Sequence, residues 1–188
     1  MIRAFIAIEL PDDVRAAIGD VQDRLKRAHL GVKVSWVKIE NIHLTLQFLG
    51  SIDDSRVEAI AVQCEKVAAK FSPFTLELEG TGTFPAGGNP RVVWVGVKES
   101  GSLAGLQAEI GGKMEGLDFV REERPFLPHL TLGRVKSLNG KNELIRKIEE
   151  GRGFKPGDLR VDRFHLFRSE LFPQGAVYTK LRAFMLNL

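Results

Sequence analysis

The chain has 188 residues, 44% hydrophobic and 27% charged, with a formal net charge of +3. That is enough apolar material for a real core, as one domain or two small lobes, and the mild basicity tolerates a polyanionic partner without requiring one. No apolar run approaches the ~18 residues of a membrane helix, and the single cysteine, Cys64, excludes an internal disulfide and a cysteine-built zinc site.

The first element is a β-prone stretch at 2–9. It is too short for a signal-peptide core and lacks a cleavage site, so a cytoplasmic protein is expected. Pro11, Asp12 and Asp13 suit the first turn of a helix, and Val14, Ala17, Ile18, Val21, Leu25 and Ala28 run an apolar stripe along it. Strands are expected at 32–38 and 42–49, with Gly50 ending the second. Ser51, Ile52, Asp53 and Asp54 start another helix, which keeps Val57, Ile60, Ala61, Cys64, Val67, Ala68 and Phe71 in phase. Strands at 74–80 and 91–97 flank a loop at 80–90 that is rich in Gly and Pro. A third helix spans 102–114, weakened by Gly105, Gly111 and Gly112. Further strand is expected within 127–135, a charged helix at 141–150, and β-prone segments near 159–168 and 176–186.

Strands and helices in that order predict an α+β fold rather than a strictly alternating parallel sheet. No flexible linker divides the chain, so residues 1–188 are expected to form a single bilobal domain. Its two lobes would be related antiparallel sheets with helices outside.

The relation between the halves rests on one tetrapeptide, His-Leu-Thr-Leu, which begins at His43 and again at His129. The chain has four histidines and six threonines, so two chance copies are improbable. In a strand, side chains alternate between faces, so each copy presents an imidazole and a hydroxyl on one face and two leucines on the other. Two such strands facing a cleft would supply a proton donor, a proton acceptor and two hydroxyls. That set suits in-line displacement at a phosphodiester. Histidine, with a reference pKa of about 6.5, serves as acid or base near neutrality, and Thr45 and Thr131 can donate to the non-bridging oxygens. Acid and base in one site predict a bell-shaped pH–rate curve.

Blander readings compete. A lone strand histidine is usually structural, and His29 and His165, which lack the threonine partner, are read that way. A metal site needs a third ligand, and neither motif carries one at a known spacing, so no metal is expected. The 80–90 loop lacks both common phosphate-binding glycine patterns and predicts no nucleoside-triphosphate site. The basic residues between Lys141 and Arg182 alternate with acids, as on a solvated surface, with an RNA-binding cleft wall as the alternative.

Residues 41–50 and 124–132 resemble the two signatures of the 2H phosphoesterases. With residues 5–11 and 91–96, they are similar more narrowly to the bacterial and archaeal RNA 2′,3′-cyclic phosphodiesterases, also called 2′-5′ RNA ligases. The resemblance implies a bilobal α+β fold whose central cleft is lined by the two motif strands. It implies hydrolysis of RNA 2′,3′-cyclic phosphate ends to 2′-phosphates without a cofactor or ATP, and ATP-independent 2′-5′ joining to a 5′-hydroxyl by the same groups. In that assignment His43 is the proton donor and His129 the proton acceptor, and Thr45 and Thr131 hold the phosphate. RNA ends, tRNA halves among them, are the implied partners of a protein expected to be monomeric and not membrane-bound.

Arg134 resembles a phosphate-contacting arginine of the family, although strict alternation sets it opposite His129 and Thr131. A bulge at Gly133 would turn it inward. Phe48 is a candidate for stacking on a terminal base, but its parity with Leu44 and Leu46 equally predicts core packing. The competing functions are an RNA-binding module with little catalysis, and a 2H enzyme for another cyclic phosphate or a 2′-5′ oligonucleotide.

Overall fold

A computed structural model of the chain describes residues 1–28, 31–86, 88–98, 100–120 and 124–187. The described residues form strands β1 (Ile2–Glu9), β2 (Val34–Trp36), β3 (His43–Ile52), β4 (Phe74–Phe84), β5 (Val92–Val97), β6 (His129–Val135), β7 (Gly157–Val161), β8 (Arg163–Phe172) and β9 (Gly175–Met185). The helices are α1 (Asp12–Arg27), α2 (Arg56–Ala68), α3 (Gly101–Glu115) and α4 (Lys141–Glu150).

The strands pair in the order β7-β4-β5-β6-β3-β1-β8-β9, with β2 added to β6. Every ladder is antiparallel. The fold is therefore α+β, a curled antiparallel sheet with helices against one face. Lobe one contains β3, β1, β8 and β9, and lobe two contains β6, β5, β4, β7 and β2. The lobes meet where β3 runs beside β6, and there the register holds a single pair, Leu44 with Leu130.

Alternation divides the faces. On β1, Ile2, Ala4, Ile6 and Ile8 enter the main core beneath the helices, whereas Phe5 and Ala7 join Phe167 and Tyr178 in a small cluster on the other face. The helices close the main core with one stripe each: Val14, Ile18, Val21 and Leu25 from α1, Ile60, Cys64 and Val67 from α2, Leu103, Leu106, Ile110 and Met114 from α3, and Leu144 and Ile148 from α4. Aspartates begin α1 and basic residues end it, in accord with the helix dipole. Ser100 caps α3, its Oγ accepting from the Leu103 N–H at 3.2 Å. No described helix is long and apolar enough to cross a membrane.

Several boundaries differ from the sequence reading. Strand β3 continues through Gly50, which takes φ +70°, and ends at Ile52. The turn that follows is set by Asp53, whose Oδ1 accepts from the Ser55 N–H and hydroxyl, so α2 starts only at Arg56. Residues 80–84 are strand, not loop. Gly82 lies under the Trp94 ring, where any Cβ would collide, so its glycine serves close packing rather than a turn. The segment 159–168 splits at Asp162 into β7 and β8, which lie in opposite lobes.

Candidate active site

Because Leu44 pairs with Leu130 in an antiparallel register, His43 lies across from Thr131 and Thr45 across from His129. Both leucines are fully buried, which leaves the four polar side chains on the opposite face. The structure thus brings both motif copies together about a local dyad.

Local geometry repeats as well. His43 Nδ1 lies 2.7 Å from the Asn41 carbonyl, and His129 Nδ1 lies 2.7 Å from the Leu127 carbonyl. A carbonyl oxygen can only accept, so each Nδ1 carries a proton and each Nε2 is the atom left to take or give one. Asn41 is held in turn by its side chain, which donates to the Ala176 carbonyl on β9 at 2.7 Å.

Both strands then break alternation at the same point. Thr131 pairs with Trp94, but Gly133 pairs with Val93, so Leu132 is an extra residue in β6. Arg134 therefore faces Val92, on the same side as Trp94, Thr131 and His129. On β3, Thr45 pairs with Ala7 and Gln47 with Ile6, so Leu46 is extra and Phe48 faces Phe5. Phe48 is 67% exposed on the motif face, which replaces the core-packing alternative. Phe48 and Arg134 thus occupy equivalent positions, each three residues past its threonine. Gly133 has a second reason to be glycine, since a Cβ there would lie 2.7 Å from Val34 Cγ1 and 2.9 Å from Trp36.

Helices hold the two bulges crosswise. Gln22, on α1 of the first half, donates to the Leu132 carbonyl at 3.0 Å and the Val37 carbonyl at 2.7 Å. Gln107, on α3 of the second half, reaches the Leu46 carbonyl at 3.5 Å. Sequence reading missed both glutamines. Their only signal was a glutamine set among the apolar residues of a helix, fully buried in the case of Gln22 and half-buried in that of Gln107.

The environments of the imidazoles differ. His43 stacks on Phe5 at 4.7 Å and meets Tyr178 edge-on at 5.3 Å. Burial in that aromatic cluster pushes its pKa down from 6.5 to about 4, against the raising effect of the Asn41 bond, and the His129 charge lowers it further. His129 meets Phe84 edge-on at 4.9 Å. Burial is also the main cause that lowers its pKa, the Leu127 bond opposes, and the Arg134 charge adds to the lowering.

His165 pairs with Ala7 on the motif face of lobe one, where it is buried beside Phe167 with Nδ1 lacking a hydrogen-bond partner among the described residues. His29 lies outside the described residues. Among the described residues no three His, Cys, Asp or Glu side chains are grouped to hold a metal ion. The basic residues of 141–182 are largely ion-paired, as in Arg146 with Glu143 and Glu150, Arg168 with Glu170, and Lys180 with Glu9.

Comparison with known proteins agrees with this geometry. A family model described as LigT like phosphoesterase matches twice, over residues 8–94 and 95–178, with one His-Leu-Thr-Leu in each match. An RNA 2′,3′-cyclic phosphodiesterase of Methanothermobacter thermautotrophicus is 35% identical, the match covering 98% of this chain and 99% of that protein. The crystal structure of a Thermus thermophilus protein superposes with a TM-score of 0.82 at 32% identity, covering 98% of this chain and 97% of the other. E. coli LigT complexed with 3′-AMP superposes with a TM-score of 0.78 at 26% identity, covering 100% and 99%.

Proposed function

Since this chain belongs to the LigT-like phosphoesterase family, we propose that it is an RNA 2′,3′-cyclic phosphodiesterase that converts a cyclic end to a 2′-phosphate. The supporting observation is the pairing of the two motif strands at Leu44 and Leu130, with each Nδ1 tied back to the carbonyl two residues before it and each Nε2 without a hydrogen-bond partner among the described residues.

In this reading a water attacks phosphorus in line with the 3′ oxygen. His129 Nε2 takes the water proton as the new P–O bond forms. The P–O3′ bond breaks, and His43 Nε2 gives its proton to the departing 3′ oxygen. Solvent exchange then resets both rings. Thr45 and Thr131 donate to the non-bridging oxygens, Arg134 opposes the phosphate charge, and Phe48 stacks on the terminal base. A 5′-hydroxyl in place of water gives a 2′-5′ linkage through the same proton transfers. The free protein holds His43 neutral, so the acid role needs the bound phosphate, whose negative charge offsets burial and restores the proton. The chemistry asks for no metal and no nucleoside triphosphate. The 188 residues act as one bilobal unit, as a monomer in the cytoplasm, on RNA ends that include tRNA halves.

Turnover of an oligoribonucleotide with a 2′,3′-cyclic phosphate, in EDTA, is the test. Replacing His43 or His129 by Ala is expected to lower kcat about 10²–10⁴-fold. Unchanged turnover in either variant would end the enzymatic reading, and loss of wild-type activity in EDTA would end the metal-free one.

A further inference from the structure

The inner face of lobe one extends beyond the reacting groups. Moving along β1 from Ala7, which pairs with Thr45, the residues on that face are Ala7, Phe5 and Arg3. Arg3 pairs with Ser51 on β3 and with Ser169 on β8, so its guanidinium rises from the middle of the lobe between two serines. It is exposed and makes no hydrogen bond or ion pair with the other described residues. A central strand facing a packed layer would carry an apolar residue there, and this strand has Ile2, Ala4, Ile6 and Ile8 on its core face. Tyr178 pairs with Ser169 and leans over Phe5, with ring centroids 5.0 Å apart. Burial raises the Tyr178 pKa, and the charges of Arg134 and Arg3 both pull it back; along the ladder, Ser169 pairs with Arg3 on one side and with Tyr178 on the other. Arg134 serves the scissile phosphate in the reading above; Lys180, which also lies on this face beside Phe167, is ion-paired with Glu9, whereas Arg3 has no ion pair among the described residues.

Arg3 lies four residues along β1 from the position opposite Thr45, about 13 Å of strand. One nucleotide unit and an extended arginine cover that gap between them, with the aromatic side chains of Phe5 and Phe48 in the interval. We infer that Arg3, flanked by Ser51, Ser169 and the Tyr178 hydroxyl, forms a second phosphate subsite that binds the phosphodiester on the 5′ side of the terminal nucleotide. The enzyme is then selective for polynucleotide ends over isolated nucleoside cyclic phosphates. This inference rests on the cyclic-phosphodiesterase reading.

The test compares a nucleoside 2′,3′-cyclic phosphate with the same compound bearing a 5′-phosphate, using the full chain. The readout is the ratio of their kcat/KM values. A charge-assisted contact at an exposed site gives the wild type a preference of about 10-fold for the 5′-phosphorylated compound, declining as salt is raised. In Arg3→Ala and in Arg3→Gln, which keeps most of the aliphatic stem, the ratio falls to near one, and Arg3→Lys retains part of it. Thermal unfolding of each variant confirms that it is folded. A wild-type ratio near one, or a preference that survives both neutral substitutions, overturns the subsite. No wild-type turnover of either compound or of a cyclic-ended oligoribonucleotide overturns instead the functional reading beneath it.

Discussion

Strands β3 and β6 carry the same tetrapeptide, the same carbonyl tie to Nδ1 and the same one-residue bulge, yet they present different chemistry. On β3 the imidazole sinks into an aromatic cluster and the bulge delivers Phe48. On β6 the imidazole stands near a cation and the bulge delivers Arg134. A repeated backbone supplies the frame, and the residues that depart from the repeat divide the labour. One side presents an apolar ring and the other a positive charge.

The strongest way to break that comparison is to remove the need for an acid. A phosphodiester with a nitrophenolate leaving group departs without a proton. With His43 as donor, the penalty of His43→Ala is expected to shrink from about 10²–10⁴-fold on the cyclic phosphate to within ~10-fold on the aryl ester, while His129→Ala stays impaired on both. Equal penalties on both substrates would erase the distinction between the two rings.

A smaller effect separates the bulge residues. Phe48→Ala is expected to weaken substrate binding by about 1–3 kcal/mol, as for loss of a stacked base, with little dependence on salt. Arg134→Ala should weaken it by a similar amount at low salt and less as salt rises. Measuring kcat/KM at two ionic strengths sharpens the contrast, and identical salt slopes would refute it.

The crosswise glutamines differ in strength. Gln22 makes two bonds of 2.7 and 3.0 Å from a fully buried site, and Gln107 one of 3.5 Å. Gln22→Leu is expected to cost about 1–3 kcal/mol in urea unfolding, because a buried and a part-buried carbonyl each lose a donor, and Gln107→Leu less than ~1 kcal/mol. The reverse order would show that the β3 bulge depends more on its helix than the β6 bulge does.

The mildest perturbation is pH. Both imidazole pKa values are lowered in the free protein, His43 to about 4. An acid must hold its proton and a base must lack one, so the kcat/KM maximum is expected on the acid side of 6.5, with kcat shifted upward once phosphate is bound. Stability follows the same sign. The fold favours neutral His43, so that contribution is present above pH 6.5 and is lost as pH falls toward and through 4. An NMR titration placing His43 near 6.5 would contradict its burial in the aromatic cluster.

The motif strands were legible because alternation is local: His, Thr and the leucines between them sort onto faces with no knowledge of neighbours. The face of Phe48 was not, because the bulge at Leu46 exists only in relation to β1. For Arg134, Gly133 gave a local hint, and the extra residue falls beside it. Residues 159–168 looked like one strand because β-propensity does not record which sheet a strand joins, and a single aspartate suffices for the crossing. Gly80 and Gly82 suggested a loop because glycine marks both turns and close contacts, and the groups that decide, the Arg152 backbone against Gly80 and the Trp94 ring against Gly82, come from elsewhere in the chain.

Strand exchange between the lobes limits how this protein can be cut and recombined. Strand β4, from the first half of the chain, is built into lobe two, and β8 and β9, from the second half, are built into lobe one. Neither lobe is a contiguous stretch of gene. A chimaera that swaps residues 1–90 for those of a relative replaces β1 and β3 of lobe one and leaves its β8 and β9 old, while installing a new β2 and β4 in lobe two. Substrate preference on either face of the cleft therefore cannot be transplanted as a single cassette. It has to be moved position by position, with the interlocked framework left whole.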